Sequence, residues 1–224
     1  MKAFRHTRGG YRATMSPREA VVLALVVLEL LERLGGEVEP PPAPDAPVRP
    51  AVEGPARDEP GHPAAGVGPV DPLPHLLDTG PVAATPPADP VLRRLLPDAS
   101  RDDPQVAAEF RRLTQDDLLA AKVTRLRTLH ERLLATTPLL VPDDEAWATA
   151  GALTDLRLAL AEVLNLRTDA DAEMLHDRHP PESDDPLALA ADVFGVLGWL
   201  QGTLIDAMTD RRQAGPARPV GGRG

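Results

Sequence analysis

The feature that most limits what this chain can fold into is a run of proline. Between Glu37 and Pro90 there are 16 prolines in 54 residues, with almost no aromatic or branched apolar clusters. Proline fixes φ and removes a backbone donor, so neither a helix nor a central strand survives at that density. The stretch buries too little apolar surface to offset its ordering entropy and reads as a disordered, partly polyproline-like insertion. It divides the chain into an N-terminal hairpin and first helix (1–36), the insertion (37–90), a helical bundle (91–210) and a flexible tail (211–224). Inside the insertion, Leu73-Pro-His-Leu-Leu is either a short docking motif or ordinary linker.

Outside the insertion the chain must build a core with few rings. Its six aromatic residues are Phe4, Tyr11, Phe110, Trp147, Phe194 and Trp199, so Leu, Val and Ala do the packing, which suits helices. Phe4 to Thr14 reads as two short strands around Gly9-Gly10, a tight hairpin turn. Lys2, Arg5, Arg8, Arg12 and Arg18 make it basic, as a contact surface or simply as a solvated face. Ser16-Pro17-Arg18-Glu19 is a capping box with proline at the first helical position, and Gly35-Gly36 ends the helix it starts. Ala20 to Leu28 is apolar throughout, but Glu29, Glu32 and Arg33 follow. A membrane span needs about 20 apolar residues, so this is a core helix. The expected fold is all-α, a bundle of about five helices with a short N-terminal β-hairpin and the long disordered Pro-rich insertion.

Asp89-Pro90 caps a short helix, Val91 to Leu96, and Asp103-Pro104 caps a second one carrying Val106, Phe110 and Leu113. Thr114-Gln-Asp-Asp117 is cap-like again, so the chain breaks or bends there before a long helix to about Ala135. Leu119, Val123, Leu126, Leu129 and Leu133 line its apolar face. Arg111, Arg112, Lys122, Arg125 and Arg132 are the candidate contact residues for a partner's acidic surface or for DNA phosphates. The alternative is a solvated face paired with Asp116, Asp117 and Glu131. Leu139-Leu-Val141 is a brief strand that pairs with the hairpin, and Pro142-Asp143 opens a helix to Leu164.

On that helix Ala146, Ala150, Leu153, Leu160 and Leu164 share a face, and Arg157 projects from its middle. A guanidinium there needs a carboxylate or carbonyls, since an unpaired buried charge costs several kcal/mol; a buried ion pair is expected, with ligand binding as the alternative. The acidic loop from Asp169 to Asp185 contains His176 and His179. Met174 and Pro180 occupy the positions where a calcium loop needs glycine and glutamate, so no metal is expected. Asp185-Pro186 caps the last helix, to about Asp210, where Gly195, Gly198 and Gly202 permit close approach of another helix.

Several chemistries are ruled out. Without cysteine there are no disulfides, thiolate nucleophiles or thiol switches. The sequence also lacks a phosphate loop, a nucleophile elbow, a zinc-protease pair and a dinucleotide fingerprint. The expectation is a protein without cofactor and without enzymatic activity. The net charge of −10 opposes unspecific nucleic-acid binding, while leaving room for a local basic surface. Met1 to Gly10 carries charge but has no apolar segment behind it in the right place for a secretion signal, and a cytoplasmic protein is expected.

Five blocks in order carry a resemblance: Phe4-Arg-His-Thr-Arg-Gly-Gly-Tyr11, Leu95-Leu-Pro-Asp-Ala-Ser-Arg-Asp-Asp-Pro104, Ala108-Glu-Phe-Arg-Arg-Leu-Thr-Gln-Asp-Asp-Leu118 with Lys122, Leu153-Thr-Asp-Leu-Arg-Leu-Ala-Leu160, and Leu197-Gly-Trp-Leu-Gln201. The chain resembles the actinobacterial AosR-like family, long catalogued as a domain of unknown function. The resemblance implies a cytoplasmic regulator of the oxidative-stress response that works with a sigma factor or RNA polymerase, influences cysteine-biosynthesis genes, and often lies beside the gene for the Clp protease adaptor. The family's thiol–disulfide switch has no counterpart here. The expected partners are a sigma factor, RNA polymerase or promoter DNA. The alternative is a protein-interaction module serving Clp-type regulated proteolysis, through the Clp adaptor or protease. A third class is a small-molecule-binding bundle centred on Arg157.

Overall fold

The computed structural model describes residues 1–35, 85–135, 138–180, 185 and 187–214. Most of the insertion, including Leu73 to Leu77, lies outside the described residues.

β1 (Lys2–Thr7) and β2 (Gly10–Thr14) form the expected hairpin, and β3 (Leu139–Val141) pairs antiparallel with β2. Strand alternation sorts the side chains. Phe4, Tyr11, Ala13, Leu139 and Val141 are buried on the inner face, whereas Arg5, Arg12 and Leu140 are exposed on the outer one. At the turn Gly10 has φ +139°, and a Cβ there would collide with the Val141 carbonyl, so only glycine fits.

α1 (Pro17–Arg33) begins with the expected capping box: Ser16 Oγ accepts from the Glu19 amide at 3.3 Å, and Glu19 Oε2 accepts from the Ser16 amide at 2.6 Å. Val27 and Leu31 on its inner face are fully buried, each contributing about 1.5–3 kcal/mol. α2 (Pro90–Leu95) is capped by Asp89, whose Oδ1 accepts from the Val91 amide at 2.8 Å.

α3 (Pro104–Ala135) is one continuous helix, not two. The Thr114 hydroxyl that looked like a cap donates instead to the Phe110 carbonyl one turn back, at 2.9 Å, a bond that a helix interior accommodates.

A single 3₁₀ turn, Asp143–Glu145, leads into α4 (Ala146–Val163). Its C-terminus closes with Asn165 at φ 53°, the Leu166 amide donating to the Ala161 carbonyl at 2.8 Å and the Asn165 amide to the Glu162 carbonyl at 3.1 Å, the double bond of a Schellman ending. The acidic loop contains two short helices, α5 (Asp169–Glu173) and α6 (Leu175–Arg178), the first capped by Thr168. α7 (Ala188–Ala214) runs past its expected end at Asp210, and Arg211 in its last turn pairs with Asp143, so this part of the expected tail is fixed to the body.

α4 is the central element, packed against α7, α2, α3 and α1. That central place is why α4 shows weak amphipathic contrast: Leu153, Leu156, Ala152 and Ala161 are buried on several sides at once. Among the described residues α7 alone is long and apolar enough to cross a membrane by length and composition. Here Ala191, Leu197, Leu200 and Leu204 of its inner face lie in the core, and it carries Asp192, Asp206 and Asp210.

Two outcomes test this packing. Gly10→Ala is expected to destabilise the fold by about 2 kcal/mol or more, the strain of a side chain in that backbone region plus the collision with Val141, read as a lower urea midpoint. His130 is 7% exposed, and burial pushes its imidazole below the usual 6.5, partly opposed by Glu131. The core therefore holds it neutral, so its contribution is complete above the unfolded value and is lost as pH falls through the lower folded value. His130→Leu is expected to flatten the fall in urea midpoint as pH drops below the unfolded histidine value of about 6.5.

Candidate functional site

The five cations expected to form a basic patch do not gather into one. Lys122 and Arg125, one turn apart on α3, both turn to Asp155 of α4. Lys122 Nζ is 2.7 Å from Oδ1 and Arg125 Nε is 2.7 Å from Oδ2, with a second Arg125 nitrogen on the same oxygen. Asp155 is 2% exposed and Lys122 6%. Gly151 makes room for this bridge, since a Cβ there would stand 3.1 Å from Arg125 Nη1. Arg132 donates twice to Glu145 Oε2, at 3.1 and 2.6 Å, and once to the Leu140 carbonyl at 3.1 Å. Arg111 is buried against Asp98, and Arg112 is exposed but forms a fork on Glu109 at 3.0 and 2.7 Å. Acids on neighbouring segments, not on α3 itself, answer four of the five.

Arg157 departs from expectation differently. It is half-buried, yet among the described residues no carboxylate pairs with it. Its Nη1 donates to Gln201 Oε1 at 2.9 Å, and Gln201 Nε2 in turn donates to Thr154 Oγ1 at 2.6 Å. The guanidinium carbon lies 5.1 Å from the centre of the Phe194 ring, an aromatic face that attracts a cation. An amide and a ring replace the ion pair. Gly198 faces this guanidinium, with a would-be Cβ 3.5 Å from Nε, whereas Gly202 has open space beside it; the close approach at Gly198 is made by a side chain, not by a helix backbone. The buried charge of α4 is Asp155, two positions earlier, which the sequence reading missed. Its one signal was a lone acid inside Leu153-Thr-Asp-Leu-Arg-Leu-Ala-Leu160.

Four exposed cations without a carboxylate partner among the described residues cluster on the hairpin. Arg5 stands directly opposite Arg12 in the β1–β2 register, and Arg12 opposite Leu140 in β2–β3. All three side chains are exposed, as are Lys2 and Arg8. None of these four cations meets a carboxylate among the described residues. Like charges directly opposed on a sheet destabilise it, by up to about 1 kcal/mol, so the row Arg5, Arg12, Leu140 is costly for folding. It presents two cations beside an apolar side chain, chemistry suited to an anionic partner surface with some apolar area.

The acidic segment is organised by its own hydrogen bonds. Asp171 accepts from Arg178 at 2.8 Å and from the Arg167 and Thr168 amides, and these bonds hold its carboxyl well below the usual carboxylate range. His179 Nδ1 lies 2.5 Å from Asp185 Oδ2. Among the described residues no group of three or more His, Asp or Glu is placed to hold a metal ion.

A family model described as a domain of unknown function, DUF2017, matches residues 1–208, and the chain belongs to that family. No curated protein and no solved structure matches the chain.

The Asp155 cluster yields a quantitative expectation. Asp155→Ala leaves Lys122 and Arg125 facing the core without their anion and is expected to cost about 3–5 kcal/mol. Adding Lys122→Met and Arg125→Met is expected to restore much of that loss, because an apolar replacement removes the desolvated charges together. Urea unfolding of the three proteins measures both effects.

Proposed function

We propose that this chain is a non-enzymatic regulator of transcription in the oxidative-stress response, acting in the cytoplasm through a sigma factor or RNA polymerase. The AosR-like resemblance supplies the regulatory class. The observation that supports a protein-binding role is the Arg5–Arg12 pair, two exposed cations held opposite one another without an acid between them. This moves the contact surface from α3, where Lys122, Arg125 and Arg132 are engaged within the fold, to the outer face of the sheet. Of the catalytically versatile hydroxyls, Ser16 caps α1 and Ser100 accepts from the Asp103 amide, uses that need no reaction. The net charge of −10 favours an acidic protein surface met by this small basic face over a length of DNA, which would meet repulsion beyond it. With no cysteine in the chain, the oxidative signal reaches this member by a route other than its own thiols.

The test is binding of the purified full chain to host RNA polymerase with and without its stress sigma factor, beside promoter DNA and the Clp adaptor. The expected result is binding to the polymerase or sigma factor that weakens at least tenfold in Arg5→Glu with Arg12→Glu, while Arg112→Glu leaves it unchanged. Binding to the Clp adaptor instead assigns the chain to regulated proteolysis. Binding to promoter DNA alone, falling steeply with salt, overturns the protein-partner reading.

A further inference from the structure

The sheet face is one surface; a second is a groove on the helical side. α7 packs on α4, α1 packs chiefly on α3 and lightly on α4, and α1 and α7 scarcely touch one another, which leaves two hollows between them. At one end Glu29 and Arg33 of α1 face Leu189 and Val193 of α7 across a cleft of about 210 Å³ floored by Ala159 and Leu160 of α4. At the other end Glu19 faces Asp192, Val196 and Trp199 across a more open hollow of about 580 Å³. The order of these neighbours makes the two helices antiparallel walls. From Glu19 to Arg33 the wall is about 20 Å long at 1.5 Å per residue, the length of a helix of about 14 residues.

The charges along the walls indicate what enters. Glu29 is answered by Arg33 at 3.1 Å, and Glu19 by the Met1 amine at 3.2 Å. Asp192 is half-buried in the wall and has no basic or donor partner among the described residues. Trp199, exposed beside it, offers a ring face suited to a cation. A half-buried carboxylate lines the same hollow as this exposed indole, and the one cation there among the described residues, the Met1 amine, is taken by Glu19.

We propose that the α1–α7 groove binds an amphipathic helix of a partner protein, its apolar face against Ala159, Leu160, Leu189 and Val193 and a flanking lysine or arginine reaching Asp192 and Trp199. Two antiparallel helical walls, floored by α4 at the Glu29–Arg33 end, suit a third helix laid between them, with anchors spaced i, i+3, i+4 and i+7. Ala159, Ala190 and Gly195 keep the channel open by their small size. The proposal is independent of which partner the basic sheet face takes.

The experiment titrates the full chain with two helical model peptides of about 14 residues, both with leucine at the four anchor spacings, one flanked by lysines and the other by glutamates. The lysine peptide is expected to bind at least tenfold more tightly, and Asp192→Asn to reduce that preference. Ala159→Trp fills the channel without altering charge and is expected to weaken binding at least tenfold. If that substitution perturbs the fold by circular dichroism, Leu189→Ser, at an exposed position, gives the same readout. Equal affinity for the two peptides, or undiminished binding by the folded groove variants, overturns the proposal. A concentration-dependent dimer of the chain alone that Leu189→Ser abolishes also overturns it, giving the groove to a second copy.

Discussion

The arrangement of the bundle depends on one buried carboxylate. Asp155 sits in the middle of α4 and accepts from two cations on successive turns of α3. Leu and Ala surfaces can slide or rotate past one another at little cost, since apolar packing is not directional. Two hydrogen-bonded charges meeting one anion at 2.7 Å are directional, and rotating α3 by a fraction of a turn leaves them in the core without it. Gly151 is the other half of that arrangement, the missing side chain through which Arg125 reaches across. Because α4 also carries α2 and α7 while α1 packs chiefly on α3, the α3–α4 setting fixes how these two halves of the bundle meet.

Much of the fold is legible in the sequence because local chemistry determines it. The capping box at Ser16, the Asp89 and Asp103 caps and the Gly9-Gly10 turn follow from residues within one turn of where they act. The continuity of α3 through Thr114 was not legible, because a threonine that caps and one that bonds back to its own helix look alike without the tertiary contacts. The charged residues were the least legible. Lys122 and Arg125 have the spacing of an exposed basic face, and only the position of Asp155, some 30 residues on in a different helix, turns them inward. Arg157 was identified as the charge in the helix interior, and it found an amide and a ring because Gln201 and Phe194 arrive from α7.

Charge is distributed with a direction. Among the described residues the helical body is acidic and the outer face of the sheet is basic, so that part of the molecule carries an electrostatic moment and not only a charge. An approaching partner with the opposite arrangement is rotated into alignment before contact, which raises the fraction of productive encounters more than it strengthens the complex.

The two ends of the described chain are joined. The Phe4 amide donates to the Thr203 hydroxyl across 199 residues of sequence at 3.3 Å, and α7 packs on β1 while its last turn reaches Asp143 and Tyr11. The first strand therefore waits for the last helix. During synthesis at about 5–20 residues per second, β1, β2 and α1 emerge many seconds before β3 and α7 exist to cover them. Their apolar inner faces stay open for that interval, and the closing contacts have the greatest sequence separation in the fold. The span between first strand and last helix thus sets the order of assembly, and it makes the nascent N-terminal segment the part most in need of protection while the chain is still being made.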